Sequence, residues 1–168
     1  LPQSGSSGAV STILLTGGTG SFGAAFVKRH QANHTIRVFS RGELAQSRMQ
    51  VEYPDLKMFI GDVRDRDRLA RAAKGVDLIV HAAALKQVEA CSYNPSEAVA
   101  TNVMGTQNVL DVAGSTRVIV VSTDKAVQPQ TTYGYTKALA ENVARIHEPT
   151  IVRYGNVLES RGAIIPLF

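Results

Sequence analysis

The sequence predicts an α/β fold, a doubly wound parallel sheet, on three observations. Short apolar runs recur at residues 11–16, 36–39, 56–60, 76–80, 117–121 and 150–153, each with the length of a buried strand. Helical stretches alternate with these runs in about five β-α units, a pattern that sequential right-handed crossovers turn into one parallel sheet. The first run stops abruptly at a cluster of glycines, and Phe22, Phe26 and Val27 follow on one side of a helix. With 168 residues, 44% of them hydrophobic, the chain is long enough to bury one substantial core.

The glycine cluster reads TGGTGSFG from Thr16 to Gly23. Glycines 18, 20 and 23 meet the dinucleotide-binding spacing, and Gly17, Gly20 and Gly23 meet the variant TGxxGxxG. Glycine serves three needs here: a tight turn, close approach of the backbone to a pyrophosphate, and close packing of helix on strand. The helix N-terminus behind the turn then faces the phosphates with its free N–H groups. A glycine pattern alone is weak evidence, but here a strand precedes it and a helix follows it.

The second run ends at Ser40 and Arg41. NAD-selective domains place an acidic residue at this strand tip to accept from the ribose 2′-OH. The nearest acid is Glu43, whereas a hydroxyl and a guanidinium suit a 2′-phosphate. NADP is therefore favoured over NAD. Behind the third run, Asp62 suits either an adenine amino group or the cap of the next helix. The alternating charges from Arg64 to Arg68 suit a solvated helix start. After the fourth run, His81 reads as a hydrogen-bonded structural residue, because no partner at metal-ligand spacing accompanies it. Ala82, Ala83 and Ala84 let a cofactor lie close to the backbone. Pro95 and Ser96 open a further helix, with Ser96 offering a cap; its apolar positions include Val99, Val103, Leu110 and Ala113, and Gly114 ends it. Asn102, near its start, is placed to brace a neighbouring loop.

The fifth run delivers Ser122, Thr123, Asp124 and Lys125 at its carboxyl end, the edge of an open parallel sheet where ligands bind. Another helix begins near Tyr133, which places Tyr133 and Lys137 one turn apart on one face. An ammonium beside a phenol favours the phenolate and lowers a pKa that starts near ~10. Such a tyrosine takes a proton from a substrate alcohol as hydride leaves for a nicotinamide, and Thr123 hydrogen-bonds the same hydroxyl. For Asp124 and Lys125 a surface ion pair is the plainer alternative.

Together these segments resemble the extended short-chain dehydrogenase/reductase family, with its NAD(P)-binding Rossmann fold. Within it they are most similar to the inverting UDP-N-acetylglucosamine 4,6-dehydratase type of polysaccharide biosynthesis proteins. The strings that carry the resemblance are LTGGTGSFG (15–23), FSR (39–41), IGDVRD (60–65), HAAALKQ (81–87), YNP (93–95), STDKA (122–126), YGYTK (133–137) and VRYGN (152–156). The Thr-Asp-Lys triplet is the specific part, since the related dTDP-glucose dehydratases carry Thr-Asp-Glu.

The resemblance implies roles residue by residue. Tyr133 deprotonates the C4 hydroxyl, while Lys137 lowers its pKa and contacts the nicotinamide ribose. Lys125 then removes the C5 proton, and Asp124 protonates the departing C6 hydroxyl. To act as a base, Lys125 must be neutral, which requires a pKa drop of ~3 units, or roughly 4 kcal/mol, from desolvation and a neighbouring cation. Gly20, Ser21, Phe22, Ser40, Arg41, Asp62, Val63 and Ala82 are similarly placed as cofactor contacts, with Lys86 and Asn156 on the substrate side. Retaining, membrane-anchored relatives tend to carry methionine at the tyrosine position, so Tyr133 points to the soluble, inverting branch. The implied activity is that of an NADP-dependent lyase acting on a UDP-sugar. Two other readings are a sugar-nucleotide epimerase or reductase of the same family, and a non-catalytic NADP-binding module.

Residues 1–10 read as a flexible linker or cloning scar, and residues 11–168 as the NADP-binding domain, ending where a substrate-binding part begins. Relatives continue past Phe168 into a smaller domain that closes over the sugar, and that domain is largely missing. Relatives are also longer between Ala113 and Arg117 and between Ala144 and Thr150, and carry glycine where Glu159 stands. The single cysteine, Cys91, permits no internal disulfide and reads as core filler. The net charge of +4 is scattered rather than clustered, which suits anionic small molecules and not nucleic acid. No apolar run approaches the ~20 residues of a membrane span, and a cytoplasmic protein without a metal is expected, as a homo-oligomer.

Overall fold

The computed structural model describes residues 10–155 and bears out the fold class. Six strands, β1 (Thr12–Thr16), β2 (Thr35–Ser40), β3 (Lys57–Ile60), β4 (Leu78–His81), β5 (Arg117–Thr123) and β6 (Thr150–Tyr154), form one sheet in the order β3-β2-β1-β4-β5-β6. Every pairing is parallel. The order reverses between β1 and β4, so a crevice opens there at the carboxyl ends of the strands.

Alternation along the strands divides the core between the two faces. Ile13, Leu15, Ile36, Val38, Val80 and Val121 face one side, beneath α1 (Ser21–His30) and α2 (Glu43–Glu52), which contribute Val27 and Met49. Leu14, Phe39, Ile79, Val118 and Val120 face the other. There they meet Leu69 and Ala72 of α3 (Arg66–Ala73), Val109 and Leu110 of α6 (Gly105–Ala113), and Ala144 of α7 (Thr132–Arg145). Burial of a side chain such as Leu14, which is fully inaccessible, contributes about 1.5–3 kcal/mol.

The helix ends have local causes. Asp65 caps α3 by accepting from the Arg68 N–H at 2.9 Å, so the charged stretch is a helix start as expected. Thr131 caps α7 through the Gly134 N–H, which fixes the first turn that carries Tyr133. The helix expected at Pro95 needs one correction. Its cap is Asn94 rather than Ser96, with Pro95 in the first helical position, where a missing N–H costs nothing. From there α5 (Pro95–Val99), a π-helical segment (Ala100–Met104) and α6 run on continuously to Gly114.

Two further helices, α2 and the short α4 (Val88–Tyr93), were not marked individually by the sequence. β4 begins two residues later than expected, because Asp77 leaves the strand to accept the Thr12 N–H at 2.7 Å. β5 runs two residues further and includes Ser122 and Thr123. Among the described residues, no helix is long and apolar enough to cross a membrane, and no group of His, Cys, Asp and Glu could hold a metal ion.

Candidate functional site at the carboxyl edge of the sheet

The glycine turn joins β1 to α1 at the switch point. The Gly17 N–H donates to the Phe39 carbonyl at 2.8 Å, and the Gly20 N–H closes the turn on the Gly17 carbonyl at 2.9 Å. Gly17 has φ +69°, and a Cβ there would lie 2.8 Å from both Cα and N of Ala83. The turn therefore packs directly on the backbone of the Ala82–Ala83 loop, and only glycine fits. Gly23 is buried against Gly18. No side chain caps α1, and its first turn holds no acid, so its N-terminal N–H groups and Ser21 present a positive end towards the crevice. Phe22 is exposed beside them.

The expected ribose-side residues divide. Arg41 stands at the tip of β2 with its side chain 57% exposed, 3.9 Å from Asp62. Ser40 is instead buried, its hydroxyl accepting from Gln46 at 2.9 Å. The Asp62 carboxylate does not cap α3. Burial alone would raise its pKa, but hydrogen bonds from Arg64, at 2.7 Å and 3.0 Å, bring it below the usual range. Val63 lies in the core, with its carbonyl accepting from Asn108 at 2.9 Å. Lys86 stands exposed on the loop leading to α4, and Asn156 and Glu159 lie outside the described residues.

At the end of β5 the structure brings the proposed reacting groups together. Tyr133 and Lys137 are both buried, 8% and 4% exposed, on the face of α7 that packs against the strand end. Thr123 is buried, and its hydroxyl donates to Asp124 at 3.0 Å and also lies in hydrogen-bond contact with the Tyr133 phenol. A 3-10 turn (Asp124–Ala126) then places Asp124 and Lys125 at the surface, joined by an ion pair of 3.3 Å.

Two sequence expectations are corrected here. The phenol is not lowered: burial pushes Tyr133 up to about 12, with Tyr154 adding to the effect and Thr123 opposing it. The reason is where the ammonium goes. Lys137 Nζ donates to the Val121 carbonyl at 2.9 Å, and burial lowers its own pKa to about 8. Lys125 is not desolvated but 41% exposed, in the ion pair given above as the plainer alternative. Hydrogen bonds from Thr123 and Lys125 hold the Asp124 carboxyl below its ordinary range.

Buried polar groups brace this edge. His81 is fully enclosed between the hydroxyls of Thr16 (2.7 Å to Nδ1) and Thr106 (3.0 Å to Nε2), which bears out a structural role. Asn102 holds the loop after β4, accepting from the Leu85 N–H at 2.8 Å and donating to its carbonyl at 2.9 Å, while a second donation reaches Thr136 on α7. Ser122, Glu141 and Arg153 form a third brace that the sequence did not reveal. Its one signal was the placing of Glu141 a helical turn beyond Lys137.

A family model described as polysaccharide biosynthesis protein matches residues 13–168. A curated relative named UDP-glucose 4-epimerase, from Rickettsia massiliae, is 46% identical over 177 residues, covering 94% of this chain and 52% of its own length. Among solved structures, Pen from Bacillus thuringiensis matches with a TM-score of 0.89 at 38% identity, over 94% of this chain and 55% of that one. The dTDP-glucose 4,6-dehydratase DesIV from Streptomyces venezuelae, with NAD and TYD bound, matches with a TM-score of 0.80 at 29% identity, over 93% and 60%. This chain spans about half the length of the curated relatives it matches. The 177 aligned positions exceed its 168 residues, so those relatives also carry internal segments that it lacks. With its parallel sheet, its glycine turn and a family match from β1 onward, the chain belongs to the polysaccharide biosynthesis protein family.

Proposed function

We propose that the protein is a nucleotide-sugar 4,6-dehydratase acting on UDP-N-acetylglucosamine or a related UDP-N-acetylhexosamine. The observation that carries this reading is the Asp124–Lys125 pair, held 3.3 Å apart on the turn that directly follows Thr123 and beside the buried Tyr133 phenol. A nicotinamide cofactor bound at the glycine turn would supply the acceptor and later the donor of a hydride. Gly17, Gly20, Ser21, Phe22, Gly23, Ala82 and Ala83 would hold it, and the backbone contact between Gly17 and Ala83 fits the tight turn such a site needs. We favour NADP because Arg41 is exposed at the tip of β2 and the strand itself carries no acid. The carboxylate that approaches Arg41 is that of Asp62 on the next strand's loop, at 3.9 Å and already held by Arg64.

Tyr133 takes the C4 hydroxyl proton, with Thr123 sharing the hydrogen bond. Lys137, whose ammonium is seated on the Val121 carbonyl at 2.9 Å rather than on the phenol, is assigned to the nicotinamide ribose. A ketone at C4 acidifies the C5 hydrogen, which Lys125 removes while Asp124 protonates the departing C6 hydroxyl. That requires a neutral amine and a neutral carboxyl. Moving one proton from Lys125 to Asp124 within their ion pair produces both at once, with no net charge change. Covering the pair with substrate strips water from two charges and favours this neutral form. Replacing Lys125 with Ala should abolish elimination while cofactor affinity stays within about twofold, since general-base loss costs ~10²–10⁴ in rate. Equal loss of both refutes the base assignment.

A second reading, UDP-sugar 4-epimerase, is favoured by the name of the Rickettsia massiliae relative. It needs Tyr133 and Lys137 but gives Asp124 and Lys125 no elimination to perform, and its product keeps the C6 hydroxyl.

A further inference from the structure

One charged cluster at this edge, built on a buried carboxylate, is not used by the reaction above. Glu141 is 3% exposed, on α7, four residues beyond Lys137 and eight beyond Tyr133, so the three side chains share one helical face. Its carboxylate is fully engaged. The Ser122 hydroxyl donates to it at 2.5 Å, and Arg153 of β6 grips both of its oxygens, through Nε at 3.0 Å and 3.2 Å and Nη2 at 2.5 Å. Ser122 follows Val121 in β5, and Val121 is the residue whose carbonyl receives Lys137. Consecutive residues of β5 thus anchor consecutive turns of α7, one through a cation and one through an anion.

A buried carboxylate so well satisfied by one arginine and one hydroxyl is costly unless it has a task, since a packed apolar side chain is often at least as stable. The group beside it that needs an anion is the buried ammonium one turn away. We propose that Glu141 is a positioning residue for Lys137: held by Ser122 and Arg153, its carboxylate keeps the Lys137 ammonium ionised and seated on the Val121 carbonyl. The proposal rests on the reading of Tyr133 and Lys137 as the reacting pair.

The charged and titratable groups on the surrounding elements leave Glu141 in this role. Tyr133 on α7, Cys91 on α4 and Tyr154 on β6 are neutral, and His81 at the end of β4 is held neutral by burial, with a pKa of about 3. On the 3-10 turn, Asp124 is paired with Lys125. Glu97 on α5 pairs with Arg64, and Asp111 on α6 with Arg66 and His147. Arg153 on β6 is the opposing cation, and Glu141 is the anion that offsets the effect of burial on Lys137.

The test reads Lys137 directly, without substrate or cofactor, so it succeeds or fails independently of turnover. The protein is labelled with 13Cε-lysine, and the Lys137 resonance is assigned by its loss in Lys137→Arg and followed by NMR titration. In the wild type the midpoint should lie near pH 8. Glu141→Gln keeps size and hydrogen-bonding capacity but removes the charge, and should move the midpoint down by about one unit, a tenfold loss in proton affinity. Arg153→Met removes the opposing cation and should move it up. Opposite shifts separate an electrostatic role from mere loosening, which would move both variants alike. An unmoved midpoint in folded Glu141→Gln, or shifts of the same sign, overturns the proposal. If Glu141→Gln does not fold, Arg153→Met decides: an upward shift supports the proposal, and an unchanged or lowered midpoint overturns it.

Discussion

Gly17 offers the sharpest test of how the turn is built, because the chain contains its own control. Gly17 and Gly75 both have φ +69°, a left-handed conformation that costs an L side chain about 1–2 kcal/mol. A Cβ at Gly75 meets nothing within 4 Å, whereas one at Gly17 would sit 2.8 Å from the Ala83 backbone. Gly75→Ala should therefore cost only the conformational penalty, on the order of 1 kcal/mol. Gly17→Ala should cost that plus the displacement of the Ala82–Ala83 loop, roughly 2–4 kcal/mol in total. Urea unfolding followed by circular dichroism measures both, with a lowered midpoint and an unchanged slope. Isothermal titration with NADP+ should show affinity at least tenfold weaker in Gly17→Ala and unchanged in Gly75→Ala. A Gly17→Ala protein no less stable than Gly75→Ala, with cofactor affinity intact, would refute the account of the turn.

Two further outcomes follow from buried and exposed charge. The Thr106 hydroxyl donates to the Asn102 carbonyl at 2.7 Å, so it can only accept from His81 Nε2, and burial holds His81 neutral down to about pH 3. Between there and the unfolded value near 6.5 the unfolded chain binds the extra proton. Stability is thus complete above about pH 6.5 and falls by about 1.4 kcal/mol per unit below it, or about 2 kcal/mol at pH 5 by urea unfolding. A level profile from pH 7 to 5 contradicts this. At the tip of β2, Arg41→Ala should weaken NADP+ binding by about tenfold or more while NAD+ changes little, since a charge-assisted hydrogen bond contributes about 1.5–3 kcal/mol. Equal weakening of both removes the case for a 2′-phosphate.

Much of the sheet was legible because each strand is a short apolar run and parallel strands are buried on both faces. The glycine turn was legible for a different reason: its residue types answer backbone demands that only glycine meets. Asn102 was read as a brace and proves to hold both the N–H and the carbonyl of Leu85. What escaped depends on where side chains end. Helix α2 carries Gln46 as a buried residue, its amide held by Ser40 and Phe59, so its inner face does not look apolar. Glu141 and Arg153 look like ordinary surface charges until β5 and β6 place them together. The Tyr133 phenol was expected to be lowered because Lys137 lies one turn away. Helical spacing fixes which face the ammonium is on, but not that it turns to the Val121 carbonyl. In the same way, Thr-Asp-Lys identifies a carboxylate and an amine but not their exposure.

Product analysis in D2O shows whether Asp124 and Lys125 carry out an elimination. The protein is incubated with NADP+ and UDP-N-acetylglucosamine, and the sugar is examined by NMR and mass spectrometry. A 4-keto-6-deoxy sugar with deuterium at C5 is expected, because a proton taken by Lys125 exchanges with solvent before the carbon is reprotonated. A product that keeps its C6 hydroxyl, with hydrogen retained at C5 and inversion at C4, would contradict it and leave Tyr133 and Lys137 serving an epimerase.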